Sequence, residues 1–238
     1  MIGAELLDDP EADPALVQAS LRDVARINRL FGGTRAVVEA LEPFFRAAAR
    51  TETGDGGRGR GMIRWTLLDV GTGLGDIPRA AATAARRHGV ELTLVGVERI
   101  PAAARAARAG GKDLAVILAD GSALPVRPRS VDVVIVSQVL HHLPRDVAVR
   151  WIAGCDRLAR RAVVLADLRR ARAAMAGIWL ASLVLGFHRV TRHDAVVSLR
   201  RGYTLREFAD LLSTAGVPAT ARKRPGFRLV AAWAPTGV

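Results

Sequence analysis

Apolar positions recur at three- and four-residue spacing over residues 14–50, through Leu16, Leu21, Val24, Ile27, Leu30 and Phe31. That period predicts an amphipathic helix. Gly32-Gly33 interrupts it, and a second helix is expected from Thr34. A polar, glycine-rich stretch over 51–61 reads as a loop or linker. From Met62 the pattern changes to short apolar runs separated by helical segments. Strands are predicted over 63–70, 91–97, 115–118, 131–136 and 162–165, and helices over 77–87, from Pro101, and over 144–159. Unbroken apolar strands alternating with helices imply an α/β fold whose parallel sheet is covered on both faces.

The last third reads differently. Residues 173–187 form the longest uncharged apolar run, fifteen residues between Arg172 and His188. A spanning helix needs about 20, so this run is expected to be a buried or surface-lying helix. Thr204 with Glu207 three residues later forms a capping box, and Gly216 ends the helix it opens. Residues 217–221 and 227–233 are expected to pair as closing strands around Pro225-Gly226.

Composition narrows the function classes. The single cysteine, Cys155, excludes an internal disulfide framework and a paired-cysteine zinc site, which fits a cytoplasmic protein. No metal site is expected. The start, 1–14, is acidic and lacks a basic, apolar signal segment. The net charge of +12 comes from 35 basic and 23 acidic residues, and Lys112 and Lys223 are the only lysines. The arginines are scattered over alanine-rich helices and the chain has one tyrosine, so stacking on nucleic-acid bases is disfavoured. An anionic substrate or an anionic membrane surface fits the charge as well.

The chemistry concentrates after the first strand. Asp69-Val70-Gly71-Thr72-Gly73-Leu74-Gly75-Asp76 places three glycines between a strand and a helix. In doubly wound folds ligands sit beyond the carboxyl ends of the strands, and glycines there let the backbone approach them. Glu98 ends the second strand, where a carboxylate can accept from both hydroxyls of a ribose. The alternative is a surface glutamate favoured by the dipole of the helix that Pro101 leads. The G-x-G-x-G spacing departs from the G-x-G-x-x-G dinucleotide fingerprint, and no P-loop lysine follows.

With Asp69-Val70-Gly71-Thr72-Gly73-Leu74-Gly75, the sequence resembles the class I S-adenosylmethionine-dependent methyltransferases. Glu98 matches that family's ribose-binding acid, and Asp120-Gly121, followed by Ser122-Ala123-Leu124-Pro125, resembles its adenine-side loop. The most specific match is Ser130-Val131-Asp132-Val133-Val134-Ile135-Val136-Ser137-Gln138-Val139-Leu140-His141-His142-Leu143. The resemblance covers about residues 62–166. It implies a Rossmann-like seven-stranded, mostly parallel sheet of order 3-2-1-4-5-7-6, the seventh strand antiparallel. It also implies S-adenosylmethionine as cofactor, with Asp69, Gly71, Thr72, Gly73, Gly75, Glu98, Arg99, Asp120, Gly121, Ser137 and Gln138 around it. Asn28 or Arg29, from the helical leader, is expected to reach the cofactor's methionine carboxylate. The chain then divides into a leader or lid with its linker (1–61) and a methyltransferase domain (62–238) carrying a substrate-pocket insertion at about 168–203.

Two histidines are candidate bases. His142 follows the fourth strand, and His193 stands beside Arg192 and Asp194 in the interval that builds the substrate pocket in related enzymes. The fourth-strand motif lacks the proline pair of enzymes that methylate nucleic-acid amino groups, and Cys155 lacks the Pro-Cys context of cytosine-C5 enzymes. A small hydrophobic or aromatic acceptor is therefore expected. The flanks, 26–33 and 192–201, resemble a bacterial subgroup found beside type III polyketide synthases, which implies O-methylation of a phenolic product. The alternatives are C-methylation of the quinone-biosynthesis type and cofactor binding without catalysis; a dehydrogenase is the remote fourth. The oligomeric state is not legible.

Overall fold

The computed structural model describes residues 13–51, 62–121, 124 and 126–236. The glycine-rich linker over 52–61, the acidic start and Ser122, Ala123 and Pro125 of the expected adenine-side loop lie outside the described residues.

Seven strands form one sheet. They are β1 (Ile63–Val70), β2 (Val90–Glu98), β3 (Leu114–Leu118), β4 (Val131–Ser137), β5 (Ala159–Leu168), β6 (Arg222–Arg224) and β7 (Arg228–Trp233). Their order is β3-β2-β1-β4-β5-β7-β6. Pairings from β3 through β5 are parallel, and β7 runs antiparallel to both β5 and β6. Every residue of β4 is buried, which explains its run without alternation.

The helices are α1 (Pro14–Leu30), α2 (Gly33–Thr51), α3 (Asp76–Arg86), α4 (Pro101–Ala109), α5 (Arg145–Leu158), α6 (Arg172–Val184), α7 (Arg189–Arg201) and α8 (Leu205–Thr214). Two apolar layers hold them to the sheet. On one face Leu41 and Phe45 of α2 and Ala81 of α3 pack with Trp65, Leu67 and Ile135. On the other, Ile152 of α5 and Phe208 and Leu211 of α8 pack with Leu68, Val134 and Leu165. Each such fully buried large side chain contributes about 1.5–3 kcal/mol relative to exposure.

The two leading helices have different places. α2 belongs to the core, whereas α1 crosses the carboxyl edge of the sheet and meets α7. A buried polar clip joins those two: Ser20 Oγ lies 2.8 Å from Thr191 Oγ1, and Asp23 Oδ2 accepts from Thr191 Oγ1 (3.2 Å) and from the His188 amide (3.0 Å). α1 and the expected pocket insertion thus form one roof over the sheet's carboxyl edge.

Two sequence expectations are corrected. Residues 217–221 are not a strand. Pro218 has no N–H to give a ladder, and the Ala219 amide closes a local turn onto Val217 O (2.9 Å), so pairing begins only at Arg222. The interval 189–201, to which the periodicity assigns no element, is the helix α7. His188 Nδ1 caps it by accepting from the Val190 amide (3.3 Å). Among the described residues no helix is long and apolar enough to cross a membrane.

Candidate active site

One cavity of about 580 Å³ opens at the carboxyl ends of β1, β2, β4 and β5, beneath α1, α6 and α7. Its first wall is the loop after β1. Gly71 (φ +79°) and Gly73 (φ +53°) occupy left-handed backbone that favours glycine. At Gly71 a Cβ would also collide with Val139 Cγ2. The amides of Gly71 and Thr72 both donate to Val97 O (2.9 and 3.0 Å), which clamps the loop to β2. Thr72 Oγ1 donates to Asp69 Oδ2 (2.9 Å).

Glu98 is buried rather than a surface glutamate. Its Oε1 accepts from the amides of Arg99 and Ile100 (2.8 and 3.1 Å), just before α4, and Oε2 accepts from Gly73 N (3.1 Å). A carboxylate has about four acceptor sites, so the three amides leave room for a further donor on the cavity side.

Four carboxylates line this half: Asp69, Asp76, Glu98 and Asp120. Burial pushes the Asp69 carboxyl up to about 7, against the Thr72 hydrogen bond, and the charges of Asp76 and Glu98 add to the rise. Burial also raises Asp76, opposed by hydrogen bonds and by Arg29 and Arg79. An acidic pocket in a chain of net charge +12 is a local reversal of sign.

The second half is built from distant segments. Asp167, buried at the end of β5, accepts from the His141 and Leu168 amides (3.2 and 2.6 Å), and its Oδ1 lies 2.6 Å from His141 Nδ1. Burial pushes Asp167 up, but the charge and hydrogen bond of His141 more than offset it and hold it below the usual carboxylate range. The His142 ring stacks on the His141 ring at 4.2 Å between centroids. Gln138, at φ +58°, donates to Asn28 Oδ1 (2.5 Å) and accepts from Arg228 (3.2 Å), whose other nitrogen reaches Asn28 Oδ1 (3.4 Å). Burial lowers the Arg228 guanidinium to about 10, and Asp167 opposes that fall.

Asn28, Asp69, Gly71, Thr72, Gly73, Glu98, Arg99, Asp120, Gly121, Ser137, Gln138 and His142 all line the cavity. Gly75 does not; at φ +74° it makes the turn into α3, with a Cβ there colliding with Leu114. His193 does not line it either. It lies on the outer side of α7, its side chain half exposed, and bonds Asp194 Oδ1 at 3.0 Å, while buried Asp194 faces inward. The helical period turns neighbours 193 and 194 to different sides. Arg29 is not among the lining residues, although Asn28 is.

Sequence reasoning missed His141–Asp167 and Arg228. Asp167 left one usable signal, a carboxylate closing an apolar strand at the edge where ligands sit. Arg228, one arginine before an apolar run, left none that separates it from a surface residue. Cys155 is buried in α5, outside the cavity, and burial pushes its thiol up to about 12, so it is no nucleophile.

The methyltransferase domain family matches residues 68–166. An uncharacterized methyltransferase of Mycobacterium sp. (strain JLS) is 42% identical over 99 residues, 40% of this chain and 33% of that protein, so the match spans a third of the relative's length. Two solved structures show the same fold. An S-adenosylmethionine-dependent methyltransferase from Aquifex aeolicus superposes with a TM-score of 0.53 at 16% identity, covering 93% of this chain and 98% of that one. An O-methyltransferase from neocarzinostatin biosynthesis, solved with S-adenosyl-L-homocysteine and 1,4-dihydroxy-2-naphthoic acid, gives 0.63 at 17% identity, covering 98% of this chain and 62% of that one. The segment 68–166 is thus similar to the methyltransferase domain family, and the chain has the fold of the S-adenosylmethionine-dependent methyltransferases.

Proposed function

We propose that this chain transfers a methyl group from S-adenosylmethionine to an oxygen of a small hydrophobic, phenolic acceptor. The observation that carries the cofactor is the sign of the pocket. Asp76, Glu98 and Asp120 face it against Arg99, with the Asp69 carboxyl raised to about 7. S-adenosylmethionine bears a sulfonium and an ammonium against one carboxylate, so an acidic wall attracts it. The phosphates of NAD or ATP would be repelled. The donor set fits as well: Glu98 retains acceptor capacity for a ribose hydroxyl, and the space beside Gly73 admits a ligand close to the backbone.

When bound, the cofactor supplies an already activated methyl group. The residues of the chain position the acceptor and exclude water, an effect that can supply roughly 7–11 kcal/mol. α1, α6 and α7 roof the cavity and keep it dry. His142 takes the acceptor's hydroxyl proton, a contribution of about 10²–10⁴-fold. His141 and Asp167 are positioning residues, because their buried pair holds the ring on which His142 stacks. Arg228, a buried cation in the same wall, favours an acceptor oxygen that carries negative charge. The naphthoic-acid complex of the structural relative supports an aromatic acceptor in this fold.

Thermal shift against S-adenosylhomocysteine, S-adenosylmethionine, NAD and ATP tests the cofactor. A ligand at 100 times its dissociation constant stabilises by about 2.7 kcal/mol. The expected result is a shift with the two adenosyl-sulfur ligands alone, lost in Glu98→Ala. A shift with NAD alone would overturn the reading. Radiolabelled methyl transfer to a panel of phenols then tests the acceptor, with a methoxy product expected; a new ring methyl would assign C-methylation instead.

A further inference from the structure

The helix α6 is built inside out for a protein surrounded by water. Its buried residues are Ala174 and Ser182, the latter a hydroxyl bonded to Trp179 O at 2.7 Å. Its large apolar side chains point outward: Trp179 is 52% exposed, Leu180 59%, Leu183 44% and Val184 78%. A helix apolar on all sides is normally buried or in lipid. At thirteen residues, about 20 Å long, α6 does not cross a bilayer. Its outer face therefore calls for an apolar surface to lie on.

Charge identifies that surface. Residues 169–193 carry five arginines and no aspartate or glutamate. Arg172 and Arg189 are exposed and flank the two ends of α6. A second copy would bring the same patch against itself. Arg172 and Arg189 would then face their own counterparts, with no carboxylate in this stretch to answer them. An anionic bilayer answers both parts at once, taking the apolar residues into the acyl boundary and the guanidinium groups at its headgroups.

We infer that α6 docks this protein on an anionic membrane surface, with Trp179, Leu180, Leu183 and Val184 inserted and Arg172 and Arg189 at the headgroups. The opposite side of the same helix, through Ala174, Gly177 and Ile178, lines the cavity. α6 thus separates bilayer from cavity. A further consequence rests on the methyl-transfer reading: an acceptor dissolved in the acyl chains reaches the cavity past this helix.

The test is flotation of the full chain with vesicles of phosphatidylcholine, with and without phosphatidylglycerol, alongside tryptophan emission. Trp65 and Trp233 are buried and Trp151 is half-buried in the cavity wall, so the blue shift on insertion should come from exposed Trp179 and be removed by Trp179→Phe. Binding to the phosphatidylglycerol vesicles and its loss in Val184→Asp and in Leu180→Asp are expected. Both variants change exposed positions, and a retained thermal shift with S-adenosylhomocysteine shows that they fold and that cofactor binding is separate from docking. Arg172→Gln with Arg189→Gln should lower partitioning about thirtyfold, at about 1 kcal/mol per arginine. No flotation of the folded wild type, or equal flotation on both vesicle types, would overturn the inference. So would a wild-type dimer in sedimentation that Val184→Asp makes monomeric.

Discussion

The two halves of the cavity are made differently. The β1–β2 half is a main-chain device, with glycines, amides and carboxylates inside three short stretches, 69–76, 98–100 and 120–121. The β4–β5 half is a side-chain device assembled from five places: Asn28, the 138–142 turn, Asp167, Asp194 and Arg228. The first half is acidic and takes its shape from backbone dihedrals. The second pairs a buried His–Asp couple with a buried arginine held by amide oxygens. A main-chain device is built from neighbours in the chain, whereas a side-chain device draws on whichever segments the fold brings together.

Breaking the second half should have the larger effects. With a phenol that turns over, His142→Ala is expected to lower kcat by about 10²–10⁴-fold, while the S-adenosylhomocysteine dissociation constant in calorimetry stays near wild type. Asp167→Ala leaves His141 without its buried partner, and loss of one member of such a pair costs about 3–5 kcal/mol, to be read from urea unfolding. The first half should answer in binding. Glu98→Gln removes charge from three amide hydrogen bonds and from the proposed ribose site. Bonds to charged groups contribute about 1.5–3 kcal/mol, so a ten- to hundredfold weaker S-adenosylhomocysteine constant is expected.

Asp69 sharpens the contrast through pH. Its carboxyl is raised to about 7 by burial first, so the folded chain holds a proton that the unfolded chain releases near its ordinary value. That contribution to stability is fully present below the unfolded value and is lost as pH rises through about 7. Melting temperatures should show Asp69→Asn with a flatter profile than wild type between pH 4 and 7, and a gain relative to wild type at pH 8. The smallest effect is expected for His193→Ala. Its side chain lies outside the cavity, and surface substitutions change stability by no more than about 0.5 kcal/mol, so kcat/KM should stay near wild type. A loss comparable to that of His142→Ala would mean that α7 turns in solution and brings His193 inside.

Much of the frame was legible in the residues. The capping box at Thr204 and Glu207 forms as read, with Glu207 N donating to Thr204 Oγ1 and Thr204 N to Glu207 Oε2. The apolar strand at 131–136 lies at the sheet's centre, and the 3-2-1-4-5-7-6 order that the family resemblance implies is the order observed. Reading failed where local pattern was weak. α7 is short of apolar residues over 189–194, so its period is hidden. Residues 217–221 are apolar enough for a strand, but Pro218 denies them one.

The sequence by itself determined the alternation of strands and helices, the glycine loop and the acid that ends β2, because each depends on neighbours a few residues apart. Only the tertiary structure decided that α1 and α7 share a roof, that His141 is buried against Asp167 while His193 stays half exposed, and that Arg228 closes the cavity wall. Those partners lie 26 to 200 residues apart in the chain. No local propensity couples such positions; packing the helices against a twisted sheet does.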